Sequence, residues 1–131
     1  MRQITTLGID TAKQVFQLHR LDAHGNVVLH KRVTRTQVLP LLAQLSPCLV
    51  GLEACGGSHY WAREITKLGH KVKLMAPQAV KPYVQGNKTD GRDAEGICEA
   101  ASRPRVRPVA INSAADQVSA LRADFSRPLR A

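Results

Sequence analysis

The sequence predicts one α/β domain built on a mixed sheet. Two observations carry this. Three β-prone runs follow one another within the first 33 residues, separated only by short turns. After them, short apolar runs alternate with segments of helical periodicity. Hairpins followed by strand–helix units give a sheet that is antiparallel first and parallel afterwards. Composition agrees: 131 residues make room for a single domain, and 44% hydrophobic content supports a core. Aromatics are only 4%, so that core must be aliphatic.

The elements follow in order. Residues 3–9 (QITTLGI) form a short β-prone run that ends at Asp10. Residues 14–21 alternate imperfectly, with Val15, Phe16, Leu18 and Leu21 as the apolar positions. Residues 22–26 (DAHGN) make a turn, and 27–33 (VVLHKRV) a third strand. Thr34 or Thr36 caps a helix over residues 35–45, whose apolar face is Val38, Leu41, Leu42 and Leu45. Pro40 fits that helix only in its first turn. Residues 48–52 (CLVGL) suit a buried parallel strand ending at Glu53. A loop over 54–58 leads to a helix marked by Tyr60, Trp61, Ile65 and Leu68, which stops near Gly69. Residues 70–75 alternate as a fifth strand, and Pro77 opens a helical stretch to about Val84. A polar loop over 85–88 precedes a helix at 90–102 with Ala94, Ile97, Cys98 and Ala101 inward. A last helix is expected from Ser113 to Arg122. The order β-β-β-α-β-α-β-α suits the RNase H-like fold.

With only ten acidic residues, their placement carries information. Asp10 ends the first strand and Glu53 the fourth. In this order those strands lie side by side in the middle of the sheet, so both carboxylates meet at its carboxyl edge, where open α/β folds bind ligands. Asp90 and Asp93, three apart on a helix, share a face. Such close carboxylates repel one another until a hard divalent cation joins them, and Mg²⁺ or Mn²⁺ fits oxygen ligands. Two ions roughly 3.5–4 Å apart activate an attacking oxygen and stabilise a leaving one at phosphorus. Taken singly, Asp10 also fits a turn cap, and Asp90 and Asp93 fit an N-cap and a first-turn charge. Glu53, directly behind an apolar strand, is costly without a partner. Taken together, the four favour a metal site.

The charge points to the partner. Nineteen Lys and Arg against ten Asp and Glu give a formal +9, a balance suited to nucleic acid. Lys71 and Lys73 alternate on one strand, and with Arg63 and Lys67 they form either a phosphate-facing patch or a solvated face. Arg103, Arg105 and Arg107 allow the same two readings. Tyr60 and Trp61 stack on bases or divide between core and surface. Cys48, Cys55 and Cys98 with His59 lack the paired spacing of a zinc site, and Cys48 and Cys98 read as buried apolar residues. Cys55 beside His59 also admits a nucleophile reading, but the Gly56-Gly57 neighbours read more simply as a tight turn. Three cysteines without paired spacing argue for a reducing cytoplasm. No signal-peptide pattern and no apolar stretch of membrane-spanning length are visible. A nucleotide-binding ATPase half with the same opening strands would need a glycine-rich phosphate turn, and here Thr11, Ala12 and Lys13 follow Asp10.

Three segments, LGIDTAK (7–13), GLEACGGSHYWAREITKLGHKV (51–72) and KTDGRDAEGICEA (88–100), closely resemble the DEDD-type insertion-sequence transposases. The N-terminal domain of that family is similar to the Holliday-junction resolvase RuvC. The resemblance implies that Asp10, Glu53, Asp90 and Asp93 are the catalytic, metal-binding tetrad. It implies Mg²⁺- or Mn²⁺-dependent DNA strand exchange, guided by a structured RNA, in a protein that forms homo-oligomers. It further implies that a basic surface, taken here as Lys13, Arg63, Lys67, Lys71, Lys73, Lys88 and Arg92, touches nucleic-acid backbone. Residues 1–112 are then the RuvC-like domain and 113–131 the start of a helical connector with a divergent tail. The family carries a nucleophilic serine in a further C-terminal domain. Residues 124–131 depart from the connector, so a truncated or frameshifted copy, or a trimmed piece, is expected. Such a piece would bind metal and nucleic acid without completing recombination. A resolvase-like nuclease and an inactive nucleic-acid-binding fragment are the alternatives.

Overall fold

The computed structural model describes residues 5–11, 14–84 and 90–113, without the side chains of 90–92. Five strands form one sheet: β1 Thr6–Thr11, β2 Val15–Leu21, β3 Val27–Thr34, β4 Leu49–Glu53 and β5 Lys71–Met75. Their spatial order is β3-β2-β1-β4-β5. The β1–β2 and β2–β3 pairs are antiparallel, and the β1–β4 and β4–β5 pairs are parallel. This is the mixed, RNase H-like sheet that the element order predicts.

Local chemistry fixes the turns. At the β2–β3 hairpin, Asp22 Oδ1 accepts from the amides of His24 and Asn26 at 2.8 and 2.9 Å. Gly25 there takes φ 83°, which a side chain resists. Helix α1 (Val38–Gln44) follows a 3-10 turn at Arg35–Gln37, so Pro40 lies in its first turn as required. Helix α2 (Ser58–Lys67) ends at Gly69, whose φ of 97° and bond to the Thr66 carbonyl (3.0 Å) close the last turn. The helical stretch expected from Pro77 to about Val84 forms as one α turn, α3 Pro77–Val80, followed directly by a 3-10 turn at Lys81–Tyr83. Pro82 lacks the amide that would continue an α-helix. Helix α4 spans Asp90–Ser102. The helix expected from Ser113 to Arg122 lies almost wholly outside the described residues.

Alternation divides the sheet into two faces. Leu7, Ile9, Phe16, Leu18, Val33, Val50, Leu52 and Leu74 point to one face, where α1 and α2 bury them with Val38, Leu42, Trp61, Ala62 and Ile65. Each such aliphatic side chain contributes roughly 1.5–3 kcal/mol by leaving water. Trp61 meets Phe16 edge-on at 4.9 Å, so it is a core residue, whereas Tyr60 remains 43% exposed. His70 joins three elements from inside: its Nδ1 accepts from the Cys48 amide (3.1 Å), and its Nε2 donates to the Leu42 carbonyl (2.7 Å). The other face carries α4 and a smaller cluster of Met75, Val80, Ile97, Ala100, Ala101 and Val106.

After a hydrogen-bonded turn at 103–106, residues 107–113 pass along the sheet edge. The Val109 amide donates to the Leu74 carbonyl of β5 (2.7 Å). Further on, both backbone groups of Asn112 are held by α2: its amide by His59 Nδ1 (3.0 Å) and its carbonyl by Arg63 (2.7 Å). This strap covers an edge strand that would otherwise present unpaired backbone.

Candidate functional site

Helix α4 needs glycines beneath it. Gly8 and Gly51 are directly paired on β1 and β4. A Cβ on Gly8 would lie 2.5 Å from Cys98 N and 2.7 Å from Cys98 Cβ, and one on Gly51 would lie 2.6 Å from Ala101 Cβ. The helix backbone therefore rests on the strand backbone, and its small residues Ala94, Cys98 and Ala101 face the sheet.

The direction of α4 follows from these contacts. Ala94 and Cys98 lie over Gly8, and Cys98 Sγ reaches back to the Thr6 carbonyl at 3.4 Å. The helix thus runs against β1, from its carboxyl end toward its start. Four helical residues rise about 6 Å and two strand residues span about 6.6 Å. One turn before Ala94, the backbone of Asp90 accordingly comes over the level of Asp10.

Asp10 and Glu53 share the α4 face with Gly8 and Gly51, two residues further along. Ile9 pairs with Leu52, so Asp10 and Glu53 come next on adjacent strands roughly 4.8 Å apart. Asp93 is half-buried on α4, and its Oδ1 is shut off from water with no hydrogen-bond partner among the described residues. A buried carboxylate oxygen without a donor is costly, and a cation relieves that cost. The positive end of a thirteen-residue helix also favours carboxylates at this place. Of the expected tetrad, Asp10 and Glu53 come next to each other at adjacent strand ends, Asp93 lies in the first turn of α4, and the side chain of Asp90 lies outside the described residues. Among the described residues, no group of three or more His, Cys, Asp or Glu stands ready-made for a metal ion.

The loop after Glu53 is tied down. Ser58, fully buried, donates from Oγ to the Glu53 carbonyl (2.6 Å), and the Ala54 amide donates to the Met75 carbonyl (2.7 Å). Cys55 is exposed beside this loop, with Sγ 2.9 Å from Ser58 Oγ and 3.8 Å from Thr11 Oγ1. Sequence reasoning missed Ser58, whose role depends on a backbone carbonyl five residues earlier.

The expected basic surface divides. Lys13 and Lys88 and the side chain of Arg92 lie outside the described residues. Arg63 and Lys67 are on α2, Lys71 and Lys73 on the opposite face of the sheet, so these four form no single patch. Arg63 holds the Asn112 carbonyl, and Lys67 pairs with Glu64 at 2.7 Å. Lys73 donates to the Ala101 and Arg103 carbonyls (3.3 and 2.9 Å), closing the end of α4, and burial pulls its pKa down. Lys71 keeps its charge exposed at the far end of β5. Arg103 pairs with Glu99 on α4.

A β3-β2-β1-β4-β5 sheet with carboxylates at the ends of its adjacent parallel strands β1 and β4, crossed by α4, defines an RNase H-like domain. The family model for the DEDD transposases of the IS110 type, described as a transposase, matches residues 7–127. The chain belongs to this family. It is 54% identical over 129 residues to a probable family 20 transposase of Pseudomonas aeruginosa, covering 98% of this chain and 38% of that protein. It is 50% identical over 104 residues to the transposase for insertion sequence element IS1328 of Yersinia enterocolitica, covering 79% and 31%. Against the transposase for insertion sequence element IS1111A of Coxiella burnetii, identity is 46% over 107 residues, covering 82% and 29%. The chain thus spans less than two-fifths of the length of these curated relatives. Among the described residues, no helix is long and apolar enough to cross a membrane.

Proposed function

We propose that this chain is the metal-dependent phosphoryl-transfer domain of a DNA transposase, with Asp10, Glu53, Asp90 and Asp93 as its metal ligands. The observations that support the reading are that Asp10 and Glu53 come next on adjacent strand ends, and that Asp93 in the first turn of α4 has a buried Oδ1 with no hydrogen-bond partner among the described residues. All of the proposed donors are carboxylate oxygens, the set that Mg²⁺ or Mn²⁺ takes. When bound, such ions supply charge to stabilise the attacking and leaving oxygens at phosphorus. Asp10 and Glu53 hold fixed positions because their strands are buried and paired. Ser58 keeps the Glu53 backbone in place. Paired glycines let α4 pack closely on β1 and β4, and in this reading Asp93 at its start joins the two strand carboxylates around the ion.

The remaining features are proposed with it. DNA is the substrate, a structured RNA guides the choice of site, and the longer family members work as homo-oligomers. The RuvC-like body extends to Asn112, where the strap is anchored, and a connector begins at Ser113. Three unpaired thiols support a reducing, cytoplasmic setting.

Calorimetric titration with Mg²⁺ and Mn²⁺ tests the reading, comparing wild type with the Asp90→Asn/Asp93→Asn double variant. Binding that disappears in the variant supports the tetrad. Binding of equal strength in both proteins assigns the metal elsewhere and removes the reading.

A further inference from the structure

The register of the sheet extends the site in one direction. Asp10 pairs with Gln17, and Gln17 with Arg32. Directly paired residues share a face, so Arg32, Gln17, Asp10 and Glu53 form one row across β3, β2, β1 and β4. On the next strand the row meets Met75. Met75 is fully buried, as is Val80 of α3, so the β5 side is closed. The β3 side is open. Helix α4 packs chiefly on β1, β2 and β4; Val27 at the start of β3 lines a cavity with Tyr83, Glu95 and Glu99, and Arg32 lies toward the other end of the strand. Arg32 and His30 are exposed there, and Gln17 is half-buried between Arg32 and the carboxylates. Arg32 makes no ion pair among the described residues.

We propose that this strip of β2 and β3 seats the backbone of the DNA strand that enters the carboxylate site, with Arg32 on a phosphate and Gln17 and His30 beside it. The inference rests on the phosphoryl-transfer reading and adds the path that the substrate takes. Charge complementarity selects the occupant: a guanidinium beside a site for phosphate esters, in a chain of formal charge +9. Geometry sets the distance. Two strand spacings put the Arg32 backbone roughly 10 Å from Asp10, about three nucleotides along a stacked strand. The strand leaves across β3 because Met75 and Val80 block the other end of the row.

Lys31 provides the control. It has the same charge on the same strand, is also exposed, and points to the opposite face, on the side of Val33. Binding of a fluorescent 20-nucleotide single-stranded DNA would be followed by anisotropy across a salt series in EDTA, with RNA of the same sequence in parallel. Arg32→Ala is expected to weaken DNA binding several-fold and to lower the salt slope by about 0.7, the value for one phosphate contact on a single strand. Lys31→Ala should leave both near wild type, and Arg32→Lys should keep the slope. Equal losses in Arg32→Ala and Lys31→Ala would overturn the proposal, since net charge alone would explain them. So would a loss confined to RNA, or a wild-type chain that does not bind DNA. Unfolding curves of each variant separate misfolding from lost contact. The assay contains no metal, so its failure and the failure of the metal titration are distinct results.

Discussion

Gly8 and Gly51 are cross-strand partners, and helix α4 lies on both, close enough that a Cβ on either would meet atoms at 2.7 Å or less. The site depends on this contact, because it brings the start of α4 down to the ends of β1 and β4. Gly8→Ala is the sharper test, since its obstacles include helix backbone, which cannot rotate away. A loss of about 1–3 kcal/mol is expected from overpacking. Urea unfolding measures it, and metal affinity should fall along with it. An unchanged midpoint would mean that α4 does not sit against β1.

Thiol chemistry separates the three cysteines. Burial pushes the Cys98 pKa up to about 12 and raises that of Cys48 as well, so both remain protonated and unreactive. Cys55 is exposed at the rim of the site. One thiol should label rapidly with a chromogenic disulfide in the native state, and two more only in denaturant. Mass spectrometry of the labelled peptide should find Cys55. Fast labelling of Cys98 would contradict the packing of α4.

Acid should weaken the fold through His19. It is buried against α4 with its Nδ1 3.0 Å from His30 Nδ1. Burial lowers its pKa below the ordinary 6.5; nearby Glu95 acts the other way and His30 reinforces the shift. The unfolded chain therefore takes up a proton just below pH 6.5 that the folded chain refuses. Stability contributed by neutral His19 is complete above that pH and declines as pH falls toward the folded value. Unfolding midpoints between pH 7.5 and 5 should drop for the wild type and drop less for His19→Gln. Parallel curves would assign the acid sensitivity elsewhere.

His70→Leu removes the partners of two buried backbone groups, the Cys48 amide and the Leu42 carbonyl. A loss of about 1–3 kcal/mol is expected, even though leucine fills similar space. Thermal unfolding would measure it, and a variant as stable as wild type would show that the imidazole packs without bonding.

Much of the fold was legible because the signals were local. Alternation over 27–33, the apolar run CLVGL and Gly69 each act within a few residues. Pro82 is equally visible, and it falls in the 3-10 turn where the helical stretch from Pro77 leaves the α form. Asp10 and Glu53 were readable as a pair because strand order alone makes β1 and β4 neighbours. Other relationships depend on register and on contacts far apart in sequence. Gly8 and Gly51 look like ordinary strand glycines until α4 is laid over them. Arg32 becomes a neighbour of Asp10 only through Gln17. The strap was hidden because Asn112 is held through its backbone, which carries no sequence signal. Arg63 and Lys67 stand close to Lys71 and Lys73 in sequence, but α2 and the α4-side residues of β5 lie on opposite faces of the sheet.

In the proposed function, the carboxylates on β1, β4 and the start of α4 hold a divalent cation. Paramagnetic Mn²⁺ titrated into isotopically labelled protein tests it most directly, since amide signals near the ion broaden first. Early broadening is expected at Asp10, Thr11, Glu53, Ala54, Asp93 and Ala94, and Asp10→Asn should abolish it. Broadening centred instead on surface acids such as Asp22, Glu64 or Glu99, or unchanged in Asp10→Asn, would contradict it.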